Sequence, residues 1–235
     1  MKKTGHLFQR RNAAFTLIEL IVVIAIIALL AAMIIPIAGA VNARKQISVA
    51  QTQLKGIELA IEGYKTKLGY YPPDNPTGFV TNQLYFELMG TTNNGVGKTQ
   101  GPDLWVTMDG SAQIGTTTTP NINAIFGVSG FNNTSTRSHS DDSGSAAQSF
   151  LNNLTPNQVG LIDPSNPNIK ILVCTVVWPL DKTPPPIAGN PPLNPWRYNS
   201  SHPTNNTASY DLWVDLVIRG KTNRVSNWST QPIKL

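Results

Sequence analysis

Apolar and polar positions divide this chain into three regimes. The first is residues 15–37, opening Phe15-Thr16-Leu17-Ile18-Glu19-Leu20, in which Glu19 is the one charge before Arg44. As a helix, so long an uncharged run is long enough to cross a bilayer. In residues 42–68 the pattern changes. Ile47, Ala50, Leu54, Ile57, Ile61, Tyr64 and Leu68 recur at spacings of three and four, which is one face of a helix. Arg44, Lys45, Thr52, Lys55, Glu62 and Lys65 mostly fill the other side. Gly69 and the prolines of Tyr70-Tyr71-Pro72-Pro73 are stop signals. One helix is therefore predicted from Phe15 to about Leu68, apolar all round at first and then striped to pack on a sheet. Pro36 removes a backbone hydrogen bond, so a kink or local break is expected near residues 32–36.

The third regime alternates with period two. In residues 209–228, Leu212, Val214, Leu216 and Ile218 share one face and Asp211, Trp213, Asp215 and Arg219 the other, which predicts a hairpin turning at Gly220-Lys221. Residues 169–178 read as a further strand, and Trp196 and Tyr198 alternate as strand residues should. Residues 81–89 fit two helical turns capped by Thr81 or Asn82, and residues 145–154 another short helix. Residues 90–145, rich in Gly, Asn, Thr and Ser, read as an irregular loop.

Charge then separates the first fourteen residues from the rest. They hold Lys2, Lys3, Arg10 and Arg11 and no acid, the bias of a cytoplasmic leader. Of 18 basic residues, 14 remain after losing those four, against 13 acidic, so the basic balance is no argument for nucleic acid. The lone cysteine, Cys174, excludes an intramolecular disulfide and sits in an apolar run as a buried small hydrophobe. A carboxylate beside so apolar a run is a functional candidate.

The stretch Ala13-Ala14-Phe15-Thr16-Leu17-Ile18-Glu19-Leu20 resembles the processing site of type IV prepilins and type II secretion pseudopilins. The resemblance implies cleavage between Ala14 and Phe15 by a prepilin peptidase and N-methylation of Phe15. The family usually has Gly where this chain has Ala14. Gly69-Tyr70-Tyr71-Pro72-Pro73-Asp74 is similar to the end of the long helix in the major pseudopilin, and Asn194-Pro195-Trp196-Arg197-Tyr198-Asn199 to the segment opening its C-terminal sheet. Tyr210-Asp211-Leu212 and Asn227-Trp228 resemble its closing motifs.

These readings give an α+β, pilin-like fold: a long N-terminal helix with a membrane-embedded first half, packed on a C-terminal antiparallel sheet. The expected organisation is a leader at 1–14, a transmembrane and assembly helix at 15–41, its amphipathic continuation at 42–74, a loop-rich insertion at 75–168 and a sheet region at 169–235. The function implied is that of a structural subunit of a type II secretion pseudopilus in the inner membrane, with its C-terminal part in the periplasm. A type IV pilus subunit is the alternative. Expected partners are copies of itself, other pseudopilins, the prepilin peptidase, the secretion platform and the membrane, with no nucleic acid and no catalytic residue. Glu19, one turn from the new α-amine of Phe15, is read as the charge that sets register between copies, and Pro36 as a second assembly residue.

A competing reading from another class is a secreted binding domain released by signal peptidase I after Ala38-Gly39-Ala40, with Trp196, Trp213 and Trp228 stacking on sugars. The apolar run is longer than the 7–15 residues usual in such a signal. No cofactor is expected. Asp211 and Asp215 are the calcium candidates, but four residues along a strand separate them by roughly 13 Å, and two solvated surface aspartates are the plainer account. His139-Ser140-Asp141-Asp142 reads as a solvated loop.

Overall fold

The computed structural model describes residues 16–94, 102–136, 146–152, 154–179, 181–182, 186–187 and 192–235. A helix, α1, spans Leu17–Leu68. It starts at a Thr-x-x-Glu sequence and stops where sequence analysis placed its end. Gly69 adopts φ +88°, and its N–H donates to Lys65 O at 2.7 Å, closing the last turn. The backbone stays helical through Pro36, so the local break expected there is absent. Helical hydrogen bonds on either side of one missing N–H are enough to keep the backbone helical.

Contacts divide the chain into two units, Met1–Arg44 and Lys45–Leu235. In the first, the large apolar side chains from Leu17 to Leu30 are exposed in every direction. Among the described residues no helix is long and apolar enough to cross a membrane, and the side chains of residues 33–38, inside the uncharged run, lie outside them.

In the second unit the middle of the stripe on residues 45–68 is buried as its spacing predicts, while Ile47 and Leu68 at its ends are half-buried. Ala50, Leu54, Ile57, Ile61 and Tyr64 are all within a few per cent of full burial, each large one stabilising by roughly 1.5–3 kcal/mol. Gly63 lets Phe150 approach: a Cβ there would meet the Phe150 ring at 3.2 Å.

Next comes α2, Leu84–Met89, every residue of which is buried. It begins later than expected. Gln83, not Thr81 or Asn82, is the capping residue, and Asn82 instead accepts from the Leu84 N–H at 3.3 Å. The stretch read as an irregular loop carries ordered structure. Strands β1 (Thr91–Asn93), β2 (Leu104–Thr107), β3 (Gln113–Gly115) and β4 (Thr134–Thr136) form a sheet in the order β3-β2-β1-β4, with β1 and β4 parallel. A short helix, α3 (Ile122–Phe126), is capped by Asn121, whose side chain accepts from Ala124 N–H at 2.8 Å. Phe86, Trp105, Phe126 and Phe131 form the core of this part; Phe86 and Phe131 stack at 4.9 Å. Three-residue strands of Thr, Ser and Asn lack the apolar alternation that would have announced them.

The helix expected at 145–154 is also absent among the described residues: residues 146–151 form no helix or strand, and only a 3-10 turn at Pro156–Gln158 follows. Strand β5 (Val159–Leu161) pairs antiparallel with β6 (Lys170–Leu172), which is shorter than the strand expected over 169–178.

The C-terminal sheet is antiparallel throughout, in the order β10-β9-β8-β7: β7 is Arg197–Asn199, β8 Asp211–Ile218, β9 Lys221–Ser226 and β10 Ser229–Lys234. Leu212, Val214, Leu216 and Ile218 are buried as one row, with Val225 opposite Val214. The turn is Arg219-Gly220, one residue earlier than expected. Both have positive φ (52° and 75°), which matches the right-handed twist of a two-residue hairpin. The helix is tied to these strands through Gln51, which donates to Thr230 O at 3.2 Å. Gln53 exchanges hydrogen bonds with Thr175. The α+β class with a C-terminal antiparallel sheet is thus what the chain forms.

Candidate functional site

At the start of α1, Thr16 and Glu19 close a capping box. The Thr16 N–H and Oγ1 donate to Glu19 Oε2 at 2.8 and 2.7 Å, and the Glu19 N–H donates to Thr16 Oγ1 at 3.3 Å. Two backbone donors that a helix start leaves orphaned are satisfied reciprocally. Glu19 therefore has a local structural duty that sequence analysis did not assign to it. The spacing Thr-x-x-Glu before an apolar run was the signal for it. The carboxylate is exposed, so the cap does not enclose the charge. Ala14 and Phe15, the proposed cleavage pair, lie outside the described residues, as do His139, Asp141 and Asp142. Pro36 is on the helix, with its side chain outside them.

In the second unit the structure brings together two segments far apart in sequence. The Tyr198 hydroxyl and the Ser200 hydroxyl each donate to Pro72 O at 2.8 Å. The buried Asp74 carboxylate accepts from Ser200 N–H, Ser201 N–H and Ser201 Oγ at 3.2, 3.3 and 2.9 Å. Tyr210 joins them, with its ring 4.9 Å from Tyr71 and 5.7 Å from Tyr198. Residues 70–74, which end the helix, are thus clamped to residues 198–201, which open the sheet.

A second buried acid, Glu87, escaped sequence analysis. It is fully buried on α2 and accepts from Tyr64 Oη at 2.9 Å, Asn132 N–H at 2.8 Å and Asn133 N–H at 3.0 Å. Burial raises its carboxyl above the ordinary value, although these hydrogen bonds pull the other way. The side chain links α1 to residues 132–133 of the insertion. Glu87 lies in an apolar-looking six-residue helix, and nothing in the local pattern distinguishes it from a solvated acid.

The two calcium candidates are not solvated. Asp211 is buried, and its oxygens accept from the N–H groups of Thr204, Asn205 and Asn206 at 2.8, 3.0 and 2.8 Å. Burial alone would raise its pKa, but these bonds outweigh it and hold the carboxyl below its usual range. Asp215 is taken in a fork by Arg224, at 2.7 and 3.0 Å. Each carboxylate is held by hydrogen-bond donors of the chain itself. Trp196 is buried, with 1 % exposure, which removes it from the sugar-stacking set; Trp213 and Trp228 are partly exposed and 5.7 Å apart. Cys174 is buried as expected, its thiol pushed up to about 11.

Residues 9–35 match the family described as the prokaryotic N-terminal methylation motif, the signature of type IV prepilin-type leaders. The chain is also similar to the type IV major pilin protein PilE1 of Neisseria gonorrhoeae, with 42% identity over 64 residues. That match covers 27% of this chain and 30% of the pilin, so the chain spans under a third of its relative's length. No solved structure matches.

Proposed function

We propose that this chain is a structural subunit of a type IV pilin-type filament, made as a membrane-anchored precursor, cut between Ala14 and Phe15 and methylated on Phe15. The observation that carries this reading is the methylation motif over residues 9–35, set on a helix that opens with an exposed acid. The uncharged run from Leu20 to Ala43 anchors the precursor in the inner membrane, with the residues beyond it in the periplasm. In the filament the apolar helices of many copies cover one another. Glu19 has a cap to close and a charge left over. In a low-dielectric core that charge attracts the α-amine of a neighbouring Phe15 strongly and fixes the stagger between copies. The role is mechanical, with no catalytic residue.

The finer reading is the pseudopilus of a type II secretion system, where polymerisation drives export. It is supported by the clamp of residues 70–74 on 198–201, which joins the two segments that resemble the major pseudopilin. A surface pilus is the second reading, favoured by the similarity to a major pilin.

Mass spectrometry of the mature protein tests the proposal. The expected N-terminus is methylated Phe15, absent from a strain lacking the prepilin peptidase. A chain beginning at Val41 would establish the released binding domain instead. Glu19→Gln adds a second arm, because a glutamine keeps the capping box and discards the charge. Loss of filaments with normal processing supports the register role, and normal filaments refute it. Loss of secretion with no change in surface fibres would then separate the pseudopilus from the pilus.

A further inference from the structure

Basic residues gather on two stretches that the fold brings together. From Leu20 to Ile57 the chain holds Arg44, Lys45 and Lys55 and no acid. From Leu216 to Leu235 it holds Arg219, Lys221, Arg224 and Lys234 and again no acid. The two stretches meet where Gln51 donates to Thr230 O at 3.2 Å. At the opposite side of the same sheet the Tyr198 hydroxyl donates to Pro72 O. The strand order β10-β9-β8-β7 thus runs along the helix, from β10 at Gln51 to β7 beyond Leu68. The free edge of β10 is therefore the edge nearest the uncharged run. Only seven residues, 44–50, lie between that run and Gln51.

The charge at this edge is not cancelled within the described chain. Lys55 is paired with Glu58 and Arg224 with Asp215, so the acids that flank the two stretches are taken. Arg44, Lys45, Arg219, Lys221 and Lys234 are exposed and have no carboxylate partner among the described residues. The segment that meets the helix at Gln53 adds Asp181 and Lys182, which offset each other. Apolar groups are interleaved with the cations: Leu235 is exposed, and Trp228, at the turn into β10, is half-buried. Long cations and an amphipathic ring suit the headgroup layer of a bilayer, where both span an apolar and a polar zone. The same edge is ill suited to another strand, because Pro232 has no N–H to offer and Lys234 adds a charge.

We propose that in the anchored precursor the β10 edge, with Arg219 and Lys221, rests on the membrane surface and holds anionic phospholipid headgroups. The proposal rests on the membrane-anchored reading above. It adds a second attachment, by which the part beyond the membrane is held against the bilayer before it enters a filament.

The test places the full precursor in nanodiscs of phosphatidylcholine, with or without phosphatidylglycerol. It reads quenching of a fluorescent thiol label by a lipid with a nitroxide headgroup. Gln231→Cys puts the label on the exposed part of β10, and Lys67→Cys puts it on the last turn of α1; Cys174 is buried and stays unlabelled. The expected result is quenching at 231 that needs phosphatidylglycerol and fades with added salt, with little quenching at 67. Arg219→Gln, Lys221→Gln and Lys234→Gln combined lower the ratio of docked to free label at 231 by at least about tenfold. All three side chains are exposed, so the unfolding midpoint stays unchanged and a loss of quenching is not a loss of fold. Equal quenching in the two lipid mixtures, or quenching untouched by the combined variant, overturns the proposal. Protection of 231 that requires two copies in a disc makes the edge a contact between copies and overturns it as well. A precursor that fails to insert refutes the anchored reading and this proposal with it; one that inserts without quenching at 231 refutes this proposal alone.

Discussion

Residues 17–32 and residues 45–68 lie on one helix and treat apolar side chains in opposite ways. In the first stretch Ile24 is 55 % exposed and its apolar neighbours are similarly bare. In the second Ile61 is fully buried, while Leu59, two residues before it, is 76 % exposed. The second stretch has found its partner inside the chain; the first has none among the described residues. A helix that is apolar on every side has no preferred face and needs a uniform surround, such as lipid or a bundle of identical helices. A striped helix needs one surface, and residues 169–235 with the insertion supply it. On the proposed reading, the same secondary structure serves intermolecular packing at one end and intramolecular folding at the other.

Glu87→Ala breaks the second stretch hardest. It strands Tyr64 Oη and two backbone N–H groups, each worth about 1–3 kcal/mol when left unsatisfied, so a loss of upwards of about 4 kcal/mol is expected in denaturant unfolding of the full chain. The same residue sets a pH signature. Its folded-state pKa is raised, so its contribution is fully present below the unfolded value of about 4.5 and is lost as pH rises through the folded value. Asp211 has the opposite sign. Its lowered pKa contributes above the unfolded value and is lost as pH falls. Unfolding measured across pH is expected to lose its alkaline-side decline in Glu87→Gln and its acid-side decline in Asp211→Asn.

Next in size, Ile61→Ala costs about 2–5 kcal/mol, because it opens a cavity in a packed stripe. Ile24→Ala, equal in chemistry, shifts the unfolding of the protein by less than about 0.5 kcal/mol and reduces filament yield instead. If both variants destabilise the chain equally, the contrast between the stretches is wrong. Thr16→Ala removes the capping hydroxyl for about 1 kcal/mol of stability, confined to the helix start. Amide exchange at residues 17–20 is expected to quicken while filaments still form, which separates the cap from the charge of Glu19.

Several features were legible because their causes are local. The buried row on β8 follows from strict alternation, the helix end from Gly69 and its prolines, and the stripe from spacings of three and four. The calcium pair illustrates the reverse. Spacing along one strand indicated that Asp211 and Asp215 would not share an ion, but their burial came from the loop at 204–206 and from Arg224, which no local pattern brings near. Glu19 lies between the two cases: its capping box is spelled out in four residues, while the use of its remaining charge depends on a neighbouring copy.

The sequence by itself determined the processing motif, the apolar run, the length of the helix and the alternation of the final hairpin, because each depends on residues within a turn or a strand of one another. Tertiary structure alone decided that Glu87 would be buried, that Pro72 and Asp74 would be clamped to Tyr198 and Ser201, and that polar residues of the insertion would form a sheet. Those outcomes depend on which distant groups arrive at the same place. A buried polar atom is satisfied or orphaned by what the fold sets beside it, and its own type does not reveal which.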